Sequence, residues 1–175
     1  CTLTRLSGAV IGISDQPAGD ASGWRTAFWS TADLTGGNWD GSIEIFLSDR
    51  DAAGTVTYTQ VTSSTGSVLG GFNFSPSLDA SGRRLAFYTE RDLTGGNPDG
   101  NFEIFLAEIG ISRTVTIRQL TTTTVGANIL PSISADGQRI AFASDRNLTS
   151  KNPDGNSEIV LATVDAAGNI TYTVV

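Results

Sequence analysis

The most regular polar feature of the chain is a run in which oxygen-bearing side chains alternate with other residues. Asn97, Asp99, Asn101 and Glu103 form one copy, Asn152, Asp154, Asn156 and Glu158 a second, and Asn38-Trp39-Asp40-Gly41-Ser42-Ile43-Glu44 an altered third. Calcium loops use such alternation, because a hard cation takes carboxylate and amide oxygens. The same residues also spell a turn. Asn, Pro, Asp and Gly in succession suit a type I turn: Asn caps position i, Pro presets φ at i+1, and Gly takes the left-handed conformation that leads into the next strand. Each copy holds only two carboxylates, and its Gly comes two residues earlier than the glycine of an EF-hand loop. The turn is therefore the expectation and calcium the alternative; no other cofactor is expected.

Other site chemistry is narrowed by what the chain lacks. It has no histidine, no methionine and one cysteine, so an internal disulfide, a zinc cluster and a histidine-based triad cannot be assembled within it. No Gly-x-Ser-x-Gly elbow occurs, and no nonrepeating carboxylate pair stands out for glycosidase chemistry. The expectation is a non-enzyme. A formal net charge of −7 and a pI near 4.4 argue against nucleic acid or an anionic membrane as partner. No window of about 18 apolar residues is present, so no transmembrane segment is expected.

Residues at these spacings need a scaffold, and the chain declares it by repetition. Gly23–Leu47, Gly82–Leu106 and Gly137–Leu161 align without gaps, and twelve of 25 positions are identical in all three. Their starts lie 59 and 55 residues apart, a difference that belongs in surface loops. Each unit reads as four short strands. In the last unit, the first approaches the turn at Asp136-Gly137, the second is Arg139 to Ser144, the third Glu158 to Ala162 and the fourth Ile170 to Val175. Runs such as Ile104-Phe105-Leu106 are apolar on both faces of a strand, which suits a sheet covered on both sides. The fourth strands alternate with Thr, as in Thr55 to Val61, and suit an outer edge. Small twisted sheets that each need a neighbour on both faces stack radially into a propeller.

The combination of Gln119-Leu120-Thr121, Pro131-Ser132-Ile133, Asp136-Gly137, Arg139-Ile140-Ala141-Phe142 and Asn156-Ser157-Glu158-Ile159 resembles the TolB-type, WD-like β-propeller repeat of bacterial envelope and secreted proteins. The expected fold class is all-β: a β-propeller of three four-stranded antiparallel blades plus one extra N-terminal edge strand. Residues 1–7 would supply that orphan outer strand, with blades at 8–63, 64–121 and 122–175. Three blades fall short of the four to eight of closed propellers. The expectation is accordingly a fragment of a larger propeller, or a chain that completes its ring as a head-to-tail homo-oligomer.

The individual residues are few. Trp24, Trp29 and Trp39 all lie in the first unit, opposite Arg83 and Gln138, Tyr88 and Ala143, and Pro98 and Pro153. They are candidate partner-binding residues for a protein or a sugar, against a packing role at a blade end. The repeated Arg25, Arg84 and Arg139 are expected to pair with a carboxylate or loop carbonyl at a blade boundary. Glu44, Glu103 and Glu158 are expected to bond backbone or hydroxyl groups. Cys1, with no initiator Met, allows a lipid anchor or merely a processing boundary. The resemblance implies a non-catalytic module for protein binding or scaffolding, in the periplasm, at the cell surface or outside a bacterium. The alternatives are a glycan- or calcium-dependent surface binder, or the propeller of a larger carbohydrate-active enzyme or peptidase.

Overall fold

The computed structural model describes residues 6, 11–65 and 71–175. Over them the chain is all-β, with twelve strands and no helix: β1 (Ser14–Gly19), β2 (Arg25–Ser30), β3 (Glu44–Arg50), β4 (Val56–Gln60), β5 (Asn73–Leu78), β6 (Arg84–Thr89), β7 (Glu103–Ile109), β8 (Val115–Gln119), β9 (Asn128–Ile133), β10 (Arg139–Ser144), β11 (Glu158–Val164) and β12 (Ile170–Val174). They form three antiparallel four-stranded sheets in chain order: β1 to β4 (sheet 1), β5 to β8 (sheet 2) and β9 to β12 (sheet 3). The edge strand expected over residues 1–7, and Cys1 with it, lies outside the described residues apart from Leu6.

The sequence pattern explains the roles of the strands. Ile45, Phe46 and Leu47 in β3, and Ile104, Phe105 and Leu106 in β7, are at most 1% exposed, so both faces of these third strands are covered. The fourth strands β8 and β12 alternate half-buried and exposed residues, with Thr toward water. The first strands carry a repeated irregularity. Gln16, Ser75 and Leu130 adopt φ of 53°, 48° and 56°, each immediately before a proline, and the register with the second strand shifts there in all three sheets. Proline has no N–H for the ladder, so the pairing is interrupted where it would fail anyway.

The core lies between sheets. Ala27, Ile45, Leu47 and Val61 of sheet 1 pack against Leu85, Phe87, Phe105 and Ile109 of sheet 2. Ile104, Leu106 and Leu120 on the other face of sheet 2 meet Ile140, Phe142, Val160 and Val164 of sheet 3. Fully burying one such Leu, Ile or Phe side chain contributes about 1.5–3 kcal/mol. Phe28 and Phe46 stack on the opposite face of sheet 1 with centroids 6.3 Å apart. Every substantial contact between sheets involves β5 or β9, the first strand of the arriving sheet, and none of comparable extent joins sheet 3 to sheet 1.

Candidate functional site

Strand register defines two ends of the molecule. Ser14, Ser30 and Glu44 pair across sheet 1 at one end, as Asn128, Ser144 and Glu158 do in sheet 3. That end carries the loops between second and third strands, residues 31–43, 90–102 and 145–157, where the repeated polar run lies. The opposite end carries the turns between first and second strands.

Two of the three polar runs close the hydrogen-bonded turn their residues suggested, and the Asn152–Gly155 copy shares its side-chain bond and glycine conformation without the backbone bond. The N–H of Gly41 and of Gly100 donates to the carbonyl of Asn38 and of Asn97, both at 3.3 Å. The Asn side chain then spans the turn: Nδ2 of Asn38, Asn97 and Asn152 donates to the carbonyl of Ser42, Asn101 and Asn156 at 2.9, 2.9 and 2.8 Å. Gly41, Gly100 and Gly155 have φ of 70°, 67° and 69°. Asp33 closes the same loop by accepting the N–H groups of Gly36 and Asn38, and those backbone donors, Asn38 foremost, hold its carboxyl below the usual carboxylate range.

The glutamates that end each run behave as struts between sheets. Glu103 is fully buried; its carboxylate accepts the N–H of Thr123 at 2.5 Å, the Thr123 hydroxyl at 2.6 Å, Asn101 Nδ2 at 3.1 Å and Asn128 Nδ2 at 3.0 Å. Glu44 accepts the hydroxyls of Ser42, Thr62 and Ser64, the Ser64 N–H and Nδ2 of Asn73. Asn73 and Asn128 open the first strand of the following sheet, so each carboxylate ties one sheet to the next. Glu158 has no such partner among the described residues.

The eight calcium candidates therefore do not converge on an open cage. Asp99 and Asp154 are exposed, whereas Glu103 is occupied by protein donors, and no group of three or more acidic, His or Cys residues able to hold a metal occurs among the described residues. One feature of the run does remain without a protein partner. The Ser42 hydroxyl bonds Asn38 Oδ1 at 3.0 Å, but Asn101 and Asn156 replace that serine, and the Oδ1 atoms of Asn97, Asn101 and Asn152 are buried with no donor.

The tryptophans do not form one site. Trp29 is half-buried and meets Phe74 of sheet 2 edge-on at 6.2 Å, which makes it part of the packing between sheets. Trp24 stands at the opposite end from Trp39 with the Arg50 guanidinium 5.8 Å from its ring. Trp39 is 82% exposed, and its end of the molecule also presents Ile11 (97%), Ile13 (66%) and Val125 (60%). Trp39 could be singled out by its departure from Pro98 and Pro153; Ile11, Ile13 and Val125 lie outside the identical blocks and gave no such signal.

Two of the three arginines follow the expected pattern at the other end, whereas Arg139 meets only Asp136 of its own turn, at 3.7 Å. Arg25 pairs with Asp49 (2.5 Å) and donates from Nη1 to the Gly82 carbonyl of sheet 2 at 2.8 Å. Arg84 repeats this with Glu108 (2.6 Å) and the Gly137 carbonyl of sheet 3 at 3.1 Å. The hairpins at this end fill the two junctions unequally. Arg113 reaches back to Thr57 at 2.7 Å and Asp49 at 3.3 Å, whereas Gly168 stands at its place in sheet 3 and leaves a cavity of about 260 Å³ beside Arg84, Glu108, Thr116 and Arg118.

No family model matches the chain, and no curated protein matches it. Among solved structures it is similar to the Pyrococcus horikoshii acylaminoacyl peptidase (orthorhombic crystal form) at 10% identity and a TM-score of 0.48, over 94% of this chain and 25% of that one. The chain thus spans a quarter of that structure's length.

Proposed function

We propose that the chain is a non-catalytic β-propeller module of the TolB-type, WD-like kind that binds a protein partner at the bacterial envelope or outside the cell. The observation that carries this reading is Trp39, 82% exposed at the tip of the 31–43 loop. An indole held on a turn braced by Asn38 and Asp33 is an anchor of low conformational cost. Ile11, Ile13 and Val125 extend the apolar surface at that end. Asp33 stays ionised beside it, and a chain of net charge −7 favours a basic or neutral partner. The polar residues that repeat three times serve turns and junctions, which leaves no single constellation for catalysis.

The test is a pull-down from the native host with wild type and Trp39→Ala. The variant should keep the wild-type melting temperature, since its indole makes little internal contact, and lose a stoichiometric partner by at least about tenfold in affinity. Unchanged recovery of that partner would remove the anchor role. The alternative of calcium-dependent binding is favoured by the buried, donorless oxygens of Asn97, Asn101 and Asn152. Millimolar calcium raising the melting temperature would promote it; no shift would set it aside.

A further inference from the structure

Arg113 closes the junction between sheets 1 and 2 from an uncommon backbone conformation. It takes φ of 63° at the hairpin position where Gly54 and Gly168 have 87° and 86°, a left-handed conformation that a residue bearing a Cβ adopts at a cost. An acceptor set across the junction offsets that cost. Nη2 of Arg113 donates to the Thr57 hydroxyl at 2.7 Å and lies 3.3 Å from Asp49 Oδ2. Asp49 also accepts from Arg25 at 2.5 and 3.1 Å, so one carboxylate serves both guanidinium groups. Thr59, the next residue on that face of β4, is uncharged.

The junction between sheets 2 and 3 is built in the same register with a different arrangement of charge. Arg84 faces Glu108 and Glu108 faces Thr116, as Arg25 faces Asp49 and Asp49 faces Thr57. No side chain arrives from the hairpin, because Gly168 stands where Arg113 does, and Arg118 takes the place of Thr59. The Arg118 guanidinium turns toward the open space, with Nη1 2.9 Å from where a Cβ on Gly168 would lie. Arg84 is matched by Glu108 at 2.6 Å and the Gly137 carbonyl at 3.1 Å. The two oxygens of Asp165 take the Asn169 N–H and Nδ2 at 2.7 and 2.8 Å. Arg118 makes no hydrogen bond or ion pair among the described residues, and neither does the Thr116 hydroxyl, although the Tyr172 phenol feels the Arg118 charge. Residues 116 and 118 share one face of β8, and both line the cavity of about 260 Å³ over Leu106 and Val164.

We propose that this cavity binds a small monocarboxylate, its carboxylate accepting from Arg118 and Thr116 and its apolar body lying over Leu106 and Val164. A guanidinium that lines a cavity without a carboxylate of its own is matched by an anion, and a planar carboxylate fits its fork with two parallel hydrogen bonds. The anion carries one charge because Glu108 and Asp165 line the same cavity, so a second charge on the ligand would face two carboxylates. Volume sets its size: about 260 Å³ is below the roughly 300–1,000 Å³ of pockets for drug-sized ligands. The junction between sheets 1 and 2 has no such site, because Arg113 occupies the space and Asp49 already answers both guanidinium groups. Trp39 stands at the opposite end of the molecule, so this binding is separate from that of the protein partner.

Amide NMR titration of the 175-residue chain with millimolar butyrate tests this, at physiological ionic strength so that contacts with isolated surface charges are largely screened. Saturable shifts are expected in residues 165–168 and 116–118. Arg118→Gln should weaken binding by at least about tenfold, the loss of a charge-assisted hydrogen bond. Inorganic phosphate should bind more weakly than butyrate, and butylammonium should not bind. A glutamate capped at both ends presents the same carboxylate as a protein side chain; binding of either acid supports the site, and the tighter names its source. A transplant keeps the idea exposed if Arg118→Gln perturbs the fold: Thr59→Arg with Arg113→Gly should install a second site, read as new shifts in residues 57–59 and 110–114, whereas Arg113→Gly alone opens the space without one. Absence of saturable shifts with both acids, shifts indifferent to Arg118→Gln, or phosphate binding as tightly as butyrate would overturn the proposal. Trp39→Ala should leave the titration unchanged, which separates this site from the partner-binding reading.

Discussion

At the scale of single residues, the most consequential groups are the two buried glutamates. Removing a carboxylate from water costs several kcal/mol unless donors replace the solvent. At Glu103 four donors do so, two from Thr123 and one each from Asn101 and Asn128. Glu103→Ala removes the acceptor all four share and leaves the Thr123 N–H without another among the described residues, while Asn101 and Asn128 keep the Thr123 hydroxyl as an acceptor; the expected loss is about 2–4 kcal/mol in urea unfolding. Glu103→Gln should recover part of the loss, because its amide oxygen can keep the three donors that meet Oε1 while its nitrogen faces only Asn128 Nδ2. A loss under about 0.5 kcal/mol, the ordinary range of surface changes, would mean that water meets those groups and the strut is dispensable. The sequence reading expected backbone and hydroxyl partners for these glutamates and found that much. The asparagine partners were not legible, because Asn73 and Asn128 lie in the next unit's first strand, outside the identical blocks.

At the scale of elements, turns decide the spacing of the strands, and two glycines separate conformational from steric cost. Gly100 has φ 67°, and a Cβ there would meet only the Glu90 carbonyl at 3.8 Å. Gly100→Ala should therefore cost about 1 kcal/mol, the left-handed penalty alone. Gly137 has φ 70°, but its Cβ would lie 2.7 Å from Arg84 Cδ and 3.1 Å from Asp79. Gly137→Ala adds displacement of the Arg84 link to the same penalty, so its urea midpoint should fall further than that of Gly100→Ala. Equal losses would show that the junction yields freely. The hairpin between β11 and β12 carries a pH-dependent contribution. Asp165 accepts the N–H of Asn169 at 2.7 Å and its Nδ2 at 2.8 Å, and the Asn169 side chain, then its backbone, hold the carboxyl below its ordinary value. A depressed carboxyl stabilises the folded state above the unfolded value, about 3.9, and that contribution disappears as pH falls through the folded value. The melting temperature difference between wild type and Asp165→Asn should therefore be present at neutral pH and vanish in strong acid. A difference that persists at low pH would assign it to packing.

At the scale of the whole molecule, three sheets stacked in chain order behave as a short one-dimensional array, with stability set by each sheet and its neighbours. The sheets themselves were legible, since the identical blocks contain the second and third strands and the apolar runs that both faces bury. How the junctions are filled was less so: Arg113 and Gly168 occupy equivalent hairpin positions, and nothing in their local sequence says that one reaches across to Asp49 while the other leaves a cavity. The array argument makes sheet 2 the most protected unit, because it alone has a neighbour on both faces among the described contacts. Amide hydrogen exchange should be slowest in β6 and β7 and fastest in the half-solvated outer strands β4, β8 and β12. The comparison of β7 with β11 carries further information. β11 should open more readily than β7, because Ile159 is half exposed while Ile104 is buried. Protection of β11 equal to that of β7 would show that sheet 3 does not depend on a second covered face for its stability.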